Sequence, residues 1–578
     1  MIICGIKVTH DGGIALIDNG ELKFSIEMEK INNNHRYSGL TDLSKIPELL
    51  AEYGYSPDMV DHFVVDGWHG TGAHWRGEPV LEPFDGDTPL KVTVAPYNEL
   101  VLTDNILKPH LFEGGLSIQG KTYDYRSYMH VAGHVCSTYA TSPYAKNGEP
   151  SFVLVWDGGQ YPRLYYVDPE AGTIQNLGHL FFILGTMYSV MGHYFGPYKK
   201  SEEELRKDRE QMTIEGYFGG YSIAGKLMSY IAFGEPDETL IQELDKIYKK
   251  ELEISNLFEH KFMTAVSDYV AGKGFSDASV LASMHVFLER MLLKNLAKKV
   301  KKYPDFKRNF CFSGGSALNI KWNSKIRDMG LFNGIWVPPV PNDAGSAIGA
   351  ACSAMAELTG RFSIDWTVYS GPKLRSNEPQ GGWEKRPCNI PELAAFLAEI
   401  DEPLVFLSGN AELGPRALGN RSILAPANHP EMQAKLNCAK LREEFRPVAP
   451  ICLEAYAADV FDPGDADPYM LFDHKVRESW KEKVPAIVHL DGTARLQTVN
   501  KEQNETIWQL LTEYRAITGI PLLCNTSANL NGSGFFPDIE SAARWGRSNY
   551  IWSEGMLYEQ VVKFQFETVQ SNLEVPTV

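Results

Sequence analysis

The chain opens on two apolar runs, MIICGIKV and IALIDNGELKFSIEM, broken by the polar turn THDGG. Runs of this kind between turn residues predict strands, and the Asp-Asn-Gly within the second run predicts a tight hairpin. Around residue 150 the same order returns as SFVLV, WDGG and RLYYVDPEAG. Both copies set Asp-Gly-Gly directly after an apolar strand and follow it with another strand, an internal repeat that bears on the fold. Between about residues 200 and 305 the apolar spacing turns helical, in KSEEELRKDREQM, IQELDKIYKKELEISNLFEH and VLASMHVFLERMLLKNLAKKVKKY. These runs predict amphipathic helices covering one face of a sheet. Strand and turn signals resume at NFCFSGGSALN, and IWVPPVPNDAGSAIGAACSAMAEL reads as a turn opening into a small-residue helix. Past Leu358 the chain is rich in Gly, Pro and polar residues, which places a predicted domain boundary near residue 365. The expected units are residues 1–365 and 366–578.

Composition narrows the function classes. At 578 residues the chain exceeds one ordinary core, and 44% hydrophobic with 22% charged residues is a globular profile. No apolar run reaches about 18 residues, so no membrane span is expected, and the N-terminus lacks the basic region of a signal peptide. The eight cysteines are scattered without CxxC spacing, which fits reduced thiols in a cytoplasm and argues against a thiolate zinc site. A formal net charge of −18 opposes the basic footprint of a stable nucleic-acid binder.

The duplicated strand–Asp-Gly-Gly–strand unit predicts an α/β chain with a duplicated actin-like N-terminal domain, in which two glycine loops face one cleft and grip phosphate through backbone N–H groups. Two unrelated hairpins are the alternative. His130 and His134, in SYMHVAGHVCSTYA, stand four apart in a helix-compatible stretch, so both imidazoles can face one ion. Asp157 ends a strand in VLVWDGG and Asp343 opens a helix in PPVPNDAGSAIG. Two imidazoles and two carboxylates suit a divalent transition metal, iron(II) first, with manganese or zinc as alternatives. Singly, Asp157 also reads as a turn former and Asp343 as an N-cap.

HxxxH, WDGG, SGGSALN and NDAGSAIGA together resemble the actin-like half of the O-carbamoyltransferases, the family of the tobramycin and nodulation-factor carbamoyltransferases. The same half resembles the enzyme that transfers threonylcarbamoyl to tRNA. GNAELGPRALGNRSILA, LNCAKLREEFRPVAP, HLDGTARLQTV and GIPLLCNTSANLNG resemble the successive blocks of that family's YrdC-like α/β C-terminal domain, so the likeness runs through nearly the whole chain in the family's order. Departures fall at Lys30, Ser229, Phe233 and Ala528, and bear on acceptor recognition more than on the reaction. Hydrogenase-maturation carbamoyl enzymes share both modules but carry cysteine-pair zinc fingers, which this chain lacks.

The resemblance implies that the second domain converts carbamoyl phosphate to carbamate and adenylates it with Mg²⁺-ATP. The carbamoyladenylate then passes to a metal site in the first domain and to a hydroxyl of a small-molecule acceptor: an antibiotic, a sugar or a hydroxymethyl-pyrimidine nucleotide. Both co-substrates are polyanions. Arg416, Arg421, Lys440, Arg446 and Arg495, inside Gly/Pro-bounded motifs, are the expected phosphate and carbamate ligands, with Arg495 anchoring the carbamate. Asn525 and Ser527 offer contacts to the carbamoyl amide. Gly158, Gly159, Gly314, Gly315 and the segment around Lys226 are expected to cradle phosphate and adenosine. His130 is a catalytic candidate through the metal. His10, in VTHDGG, is either a general base or acceptor-orienting group, or a residue capping a tight turn. A homodimer is compatible with this picture. The competing classes are a tRNA threonylcarbamoyl enzyme and a non-catalytic actin-fold ATP binder.

Overall fold

A computed structural model describes residues 1–31, 33, 35–69, 79–210, 221–255 and 257–566. The end of the KSEEELRKDREQM run lies outside the described residues. The first sheet holds β1 (Ile2–Lys7), β2 (Gly13–Asp18), β3 (Glu21–Glu27), β4 (His62–Asp66), β5 (His110–Ile118) and β6 (Lys121–Tyr128), in the order β3-β2-β1-β4-β6-β5. The second holds β7 (Ser151–Val155), β8 (Arg163–Asp168), β9 (Thr173–His179), β10 (Asn309–Ser313) and β11 (Gly334–Trp336), in the order β9-β8-β7-β10-β11. Each sheet is an antiparallel three-strand meander whose first strand pairs in parallel with a fourth, and that fourth in parallel with the next. The repeat seen in the sequence is therefore a repeat of topology, and the first half is an actin-like duplicated core. Asn19 and Gly20 between β2 and β3 both take positive φ, 49° and 86°, the backbone that this tight hairpin turn demands.

Helices α1 (His130–Ala140) and, on the far side of α2 (Asp277–Val300) in sequence, α3 (Ser346–Thr359) pack between the two sheets, in a core shared with Ile3 and Val64 of one and Val153 and Val155 of the other. They approach so closely that a Cβ on Gly349 would lie 2.2 Å from the Gly133 carbonyl oxygen. The outer face of the second sheet is covered by α2 with the helices Glu238–Glu251 and Phe258–Val270, as the charged amphipathic runs predict.

A third, mixed sheet joins β12 (Trp383–Pro387), β13 (Leu404–Leu407), β14 (Arg421–Ala425), β15 (Ala449–Leu453), β16 (Gln497–Val499), β17 (Leu522–Ser527), β18 (Tyr550–Ser553) and β19 (Met556–Gln560), in the order β12-β19-β18-β13-β14-β17-β15-β16. Helices α4 (Ile390–Glu399) and α5 (Glu505–Thr518) pack together on one face. The polar stretch after Leu358 is stitched to β3: Leu22 N–H donates to the Asp365 carbonyl and Ser25 N–H to that of Ser370, both at 2.8 Å. The halves are pinned by Lys30, 1% exposed, whose ammonium donates at 2.7 Å to Glu27 Oε1 and to the carbonyls of Glu412 and Gly414. Gly414 N–H returns a bond to Glu27 Oε1 at 2.8 Å. A buried cation with three acceptors is fully compensated, so removing any partner would strand a charge in the interface.

Candidate active site

The first turn of α1 carries His130 and the next carries His134, their rings 4.6 Å apart at 82°. Asp157 follows β7, and Asp343 opens the 3₁₀ turn before α3. One donor atom from each of these four buried residues lies within 4.8 Å of every other. The closest pairs are His134 Nε2 to Asp343 Oδ1 at 3.3 Å, His130 Nε2 to Asp343 Oδ1 at 3.4 Å and His134 Nε2 to Asp157 Oδ2 at 3.8 Å. Ligands about 2.1 Å from a common ion stand roughly 3 to 4 Å apart, so the set fits one metal. Neither Nε2 has a hydrogen-bond partner, so both nitrogens are left facing the meeting point. The N-cap of that turn is Asn342 and not Asp343, so the Asp343 carboxylate is not the cap.

The surroundings orient each donor. His130 Nδ1 lies 2.7 Å from Asp66 Oδ2, which fixes the ring and presents Nε2. Asp157 Oδ1 accepts from Gly315 N–H at 2.8 Å and Oδ2 from the Tyr97 hydroxyl at 2.6 Å. Asp157 is thus also the turn former that the sequence allows, tying the Trp156–Asp157 corner to the loop after β10. In that loop Gly314 sits at φ 87°, where a Cβ would strike the Trp156 carbonyl at 2.4 Å. Burial lowers the His134 imidazolium, but Asp157 and Asp343 outweigh it and carry its pKa to about 10. The carboxylates demand positive charge at this point.

The cluster lies on a cavity of about 430 Å³ that also reaches residues of the third sheet. Asp157, Gly158, Gly159, Gly315 and Asp343 line it from the first half, as do His10, Trp68, His69 and Tyr97. Arg416, Arg442, Arg446, Arg495, Asn525 and Ser527 line it from the second. Arg416 is held well below the usual guanidinium pKa by burial and then by Arg495, Arg36 and Arg446. Arg495 is lowered to about 10 by burial and by Arg446 and Arg442. Arginine stays charged in proteins, so this is an unmet demand for anions. The buried Nε atoms of Arg416 and Arg495 and an Nη of Arg442 have no hydrogen-bond partner. Asn525 spends its amide donors on the Ala417 carbonyl and Gln497 Oε1, leaving Oδ1 as an unused acceptor.

The remaining predicted residues divide. Lys226 lines the cavity 3.7 Å from Glu443, and His10 touches Asp11 Oδ2 through Nδ1 at 2.9 Å and Asp343 Oδ2 through Nε2 at 3.3 Å. Arg421 and Lys440 are not brought to the cavity. The Arg421 guanidinium donates to the carbonyls of Ser408, Gly409 and Asn420, and Lys440 to those of Ser527 and Asn529, so both hold loops. Sequence reading passed over Lys7, Asp66, Tyr97, Arg36 and Arg442. For Asp66 a signal existed: HFVVDG repeats the apolar-strand–Asp-Gly pattern of VLVWDG.

A duplicated actin-like core, a buried His/Asp cluster and a cavity crowded with guanidinium groups suit a group-transfer enzyme. Residues 2–352 match the carbamoyltransferase N-terminus and residues 396–552 the carbamoyltransferase C-terminus, and the chain belongs to the carbamoyltransferase family. It is 47% identical over 595 residues to a nodulation protein U of Rhizobium tropici, with 100% of each chain covered. It is 29% identical over 554 residues to a 3'-hydroxymethylcephem-O-carbamoyltransferase of Streptomyces clavuligerus, covering 94% of this chain and 96% of that one. Among solved structures, full-length HypF in its phosphate- and nucleotide-bound form shares 13% identity at a TM-score of 0.32, over 63% of this chain and 56% of that one, a likeness too loose to bear on the site. Among the described residues no helix is long and apolar enough to cross a membrane.

Proposed function

We propose that the chain is an ATP-dependent O-carbamoyltransferase that makes carbamoyladenylate from carbamoyl phosphate and ATP and passes the carbamoyl group to a hydroxyl of a small acceptor. The observation that carries this is one cavity lined both by Asp157 and Asp343 of the buried His/Asp cluster and by Arg36, Arg416, Arg442, Arg446 and Arg495. In this reading the division of labour follows the expected units, 1–365 for transfer and the YrdC-like 366–578 for activation. Reduced thiols, all eight cysteines being free, suit the cytoplasm that supplies ATP.

Arg416, Arg442, Arg446 and Arg495 bind carbamoyl phosphate and the ATP phosphates, with Asn525 Oδ1 accepting from the carbamoyl N–H. Water takes the phosphoryl group of carbamoyl phosphate, the bond between its bridging oxygen and phosphorus breaks, and carbamate and inorganic phosphate result. The carbamate oxygen attacks the α-phosphorus and pyrophosphate leaves, with the guanidinium groups stabilising charge on the departing oxygens. The acceptor oxygen then attacks the carbamoyl carbon, AMP leaves, and His10, held by Asp11, takes the hydroxyl proton. The backbone N–H groups of Gly158 and Gly159 hold the adenylate's phosphate, with Lys226 lining the same cavity; those of Gly314 and Gly315 are already given to the Pro341 carbonyl and to Asp157 Oδ1. A divalent metal on His130, His134, Asp157 and Asp343, iron(II) in our reading, supplies Lewis-acid polarisation of the carbonyl.

Two variants separate the half-reactions. Arg495→Ala should abolish carbamoyl-phosphate-dependent pyrophosphate release. His130→Ala should release pyrophosphate near the parent rate yet carbamoylate an acceptor on the order of a hundred- to a thousandfold more slowly. Pyrophosphate release and product mass on both variants decide, and equal loss of both activities in a folded His130→Ala protein would overturn the scheme.

A further inference from the structure

Lys7 sits at the end of β1 and is 1% exposed, an unusual place for an ammonium group. Its Nζ lies 2.8 Å from Asp66 Oδ2, 3.1 Å from Asp343 Oδ2 and 3.8 Å above the Trp68 ring centroid. The Asp66 oxygen it touches is the one that meets His130 Nδ1. The Asp343 oxygen it touches is not the one facing the imidazole Nε2 atoms, which is Oδ1. One cation therefore decides both which nitrogen of His130 and which oxygen of Asp343 are offered to the meeting point.

The charge count makes this more than packing. Three carboxylates touch the two imidazoles, Asp66, Asp157 and Asp343, and the buried ammonium leaves the group at −2. A divalent ion brings that to zero, whereas a trivalent ion leaves a buried positive charge. Uncompensated charge in such a place is what protein interiors resist most.

We propose that Lys7 is a positioning residue of the metal centre, selecting the donor atoms of His130 and Asp343 and setting the local charge so that a divalent ion is held in preference to a trivalent one. The proposal rests on the metal reading above. Removing the ammonium tilts the balance toward the trivalent state, and removing the Asp66 charge tilts it back.

The test uses full-length protein loaded anaerobically with iron(II) and a redox titration of the bound iron. Lys7→Met keeps an apolar chain of similar length over Trp68. It should raise the iron(III)-to-iron(II) affinity ratio about a hundredfold, a fall of about 120 mV at 59 mV per tenfold. Asp66→Asn, nearly isosteric, should move the potential upward. The double variant should return close to the parent value. A purely structural role would weaken binding of both oxidation states and shift both single variants the same way or neither. Either result overturns the proposal. If Lys7→Met alone holds no iron, a raised potential in Asp66→Asn and its reversal in the double variant still support it, and their absence overturns it. Failure of the parent protein to bind iron would instead overturn the metal reading.

Discussion

Replacing Arg416 by Met should stabilise the ligand-free protein while crippling anion binding, and the opposed signs are the point. The Arg416 Nε is buried without an acceptor, and its guanidinium is depressed by burial and by Arg495, Arg36 and Arg446. Exchanging such a group for an apolar side chain of similar volume commonly gains about 1–4 kcal/mol. For a domain of this size, about 2 kcal/mol corresponds to a Tm roughly 4–8 °C higher. The same change removes a charge-assisted contact to phosphate worth about 1.5–3 kcal/mol, a tenfold to 150-fold loss of affinity. A hundredfold weaker Kd takes about 2.3 kcal/mol from the roughly 2.7 kcal/mol of stabilisation that ligand gives at 100 times the parent Kd. Thermal unfolding of parent and variant with increasing pyrophosphate should therefore cross: variant above parent without ligand, parent above variant with it. Calorimetric titration gives the two affinities directly. A variant that melts below the parent without ligand and binds pyrophosphate equally well would refute the claim that this guanidinium is an uncompensated charge awaiting an anion.

Three further outcomes follow from the geometry. Burial pushes the Glu259 carboxyl up from its usual 4.5 to about 7, while Oε1 accepts from Leu184 N–H at 2.8 Å. The folded state holds that proton more tightly, so its contribution of about 3 kcal/mol is full below about pH 4.5 and is lost as pH rises through 7. Glu259→Gln should therefore gain on the parent in Tm between pH 5 and pH 8, and parallel pH profiles would count against it. Gly349→Ala should destabilise by several kcal/mol, since its methyl would meet the Gly133 carbonyl at 2.2 Å and neither helix backbone can yield cheaply; chemical denaturation measures this, and a change under about 0.5 kcal/mol would contradict the contact. The His130→Ala, His134→Ala double variant should lose the metal from anaerobically purified protein, so full metal content by elemental analysis would sink the assignment.

The strand repeat was legible because strands of this kind write themselves locally, in apolar runs and Asp-Gly-Gly turns. His130 and His134 were legible for the same reason, four residues apart on one helix. Asp66 left only the Asp-Gly signal of HFVVDG, and Lys7 and Tyr97 left none. Each belongs to the site only because β1, β4 and the segment after them lie beside α1 in space, and no spacing along the chain records that. Arg421 and Lys440 failed in the opposite direction. They share their motifs with true cavity residues, but a motif states which residues a loop needs, not whether each turns toward ligand or toward its own carbonyls. Arg421 and Lys440 do the latter.

Net charge is silent about the site as well. A chain at −18 concentrates five guanidinium groups, Arg36, Arg416, Arg442, Arg446 and Arg495, around one cavity, because averages over a surface say nothing about a site that burial isolates from that surface. What joins the arginine side of the cavity to the His/Asp side is a contact outside the first half's metal and glycine motifs, made to the GNAELGPRALGNRSILA block of the second. The Lys30 ammonium donates to the carbonyls of Glu412 and Gly414, Glu27 Oε1 accepts from Gly414 N–H, and Arg416 follows two residues on. Lys30, read from the sequence as a departure bearing on acceptor recognition, sets where the arginine end stands relative to β3, and β3 is continuous through its hairpin with β2 and β1, the strand that carries Lys7. In the proposed scheme, the distance an activated carbamoyl group must cover is therefore fixed through backbone that the motifs only punctuate.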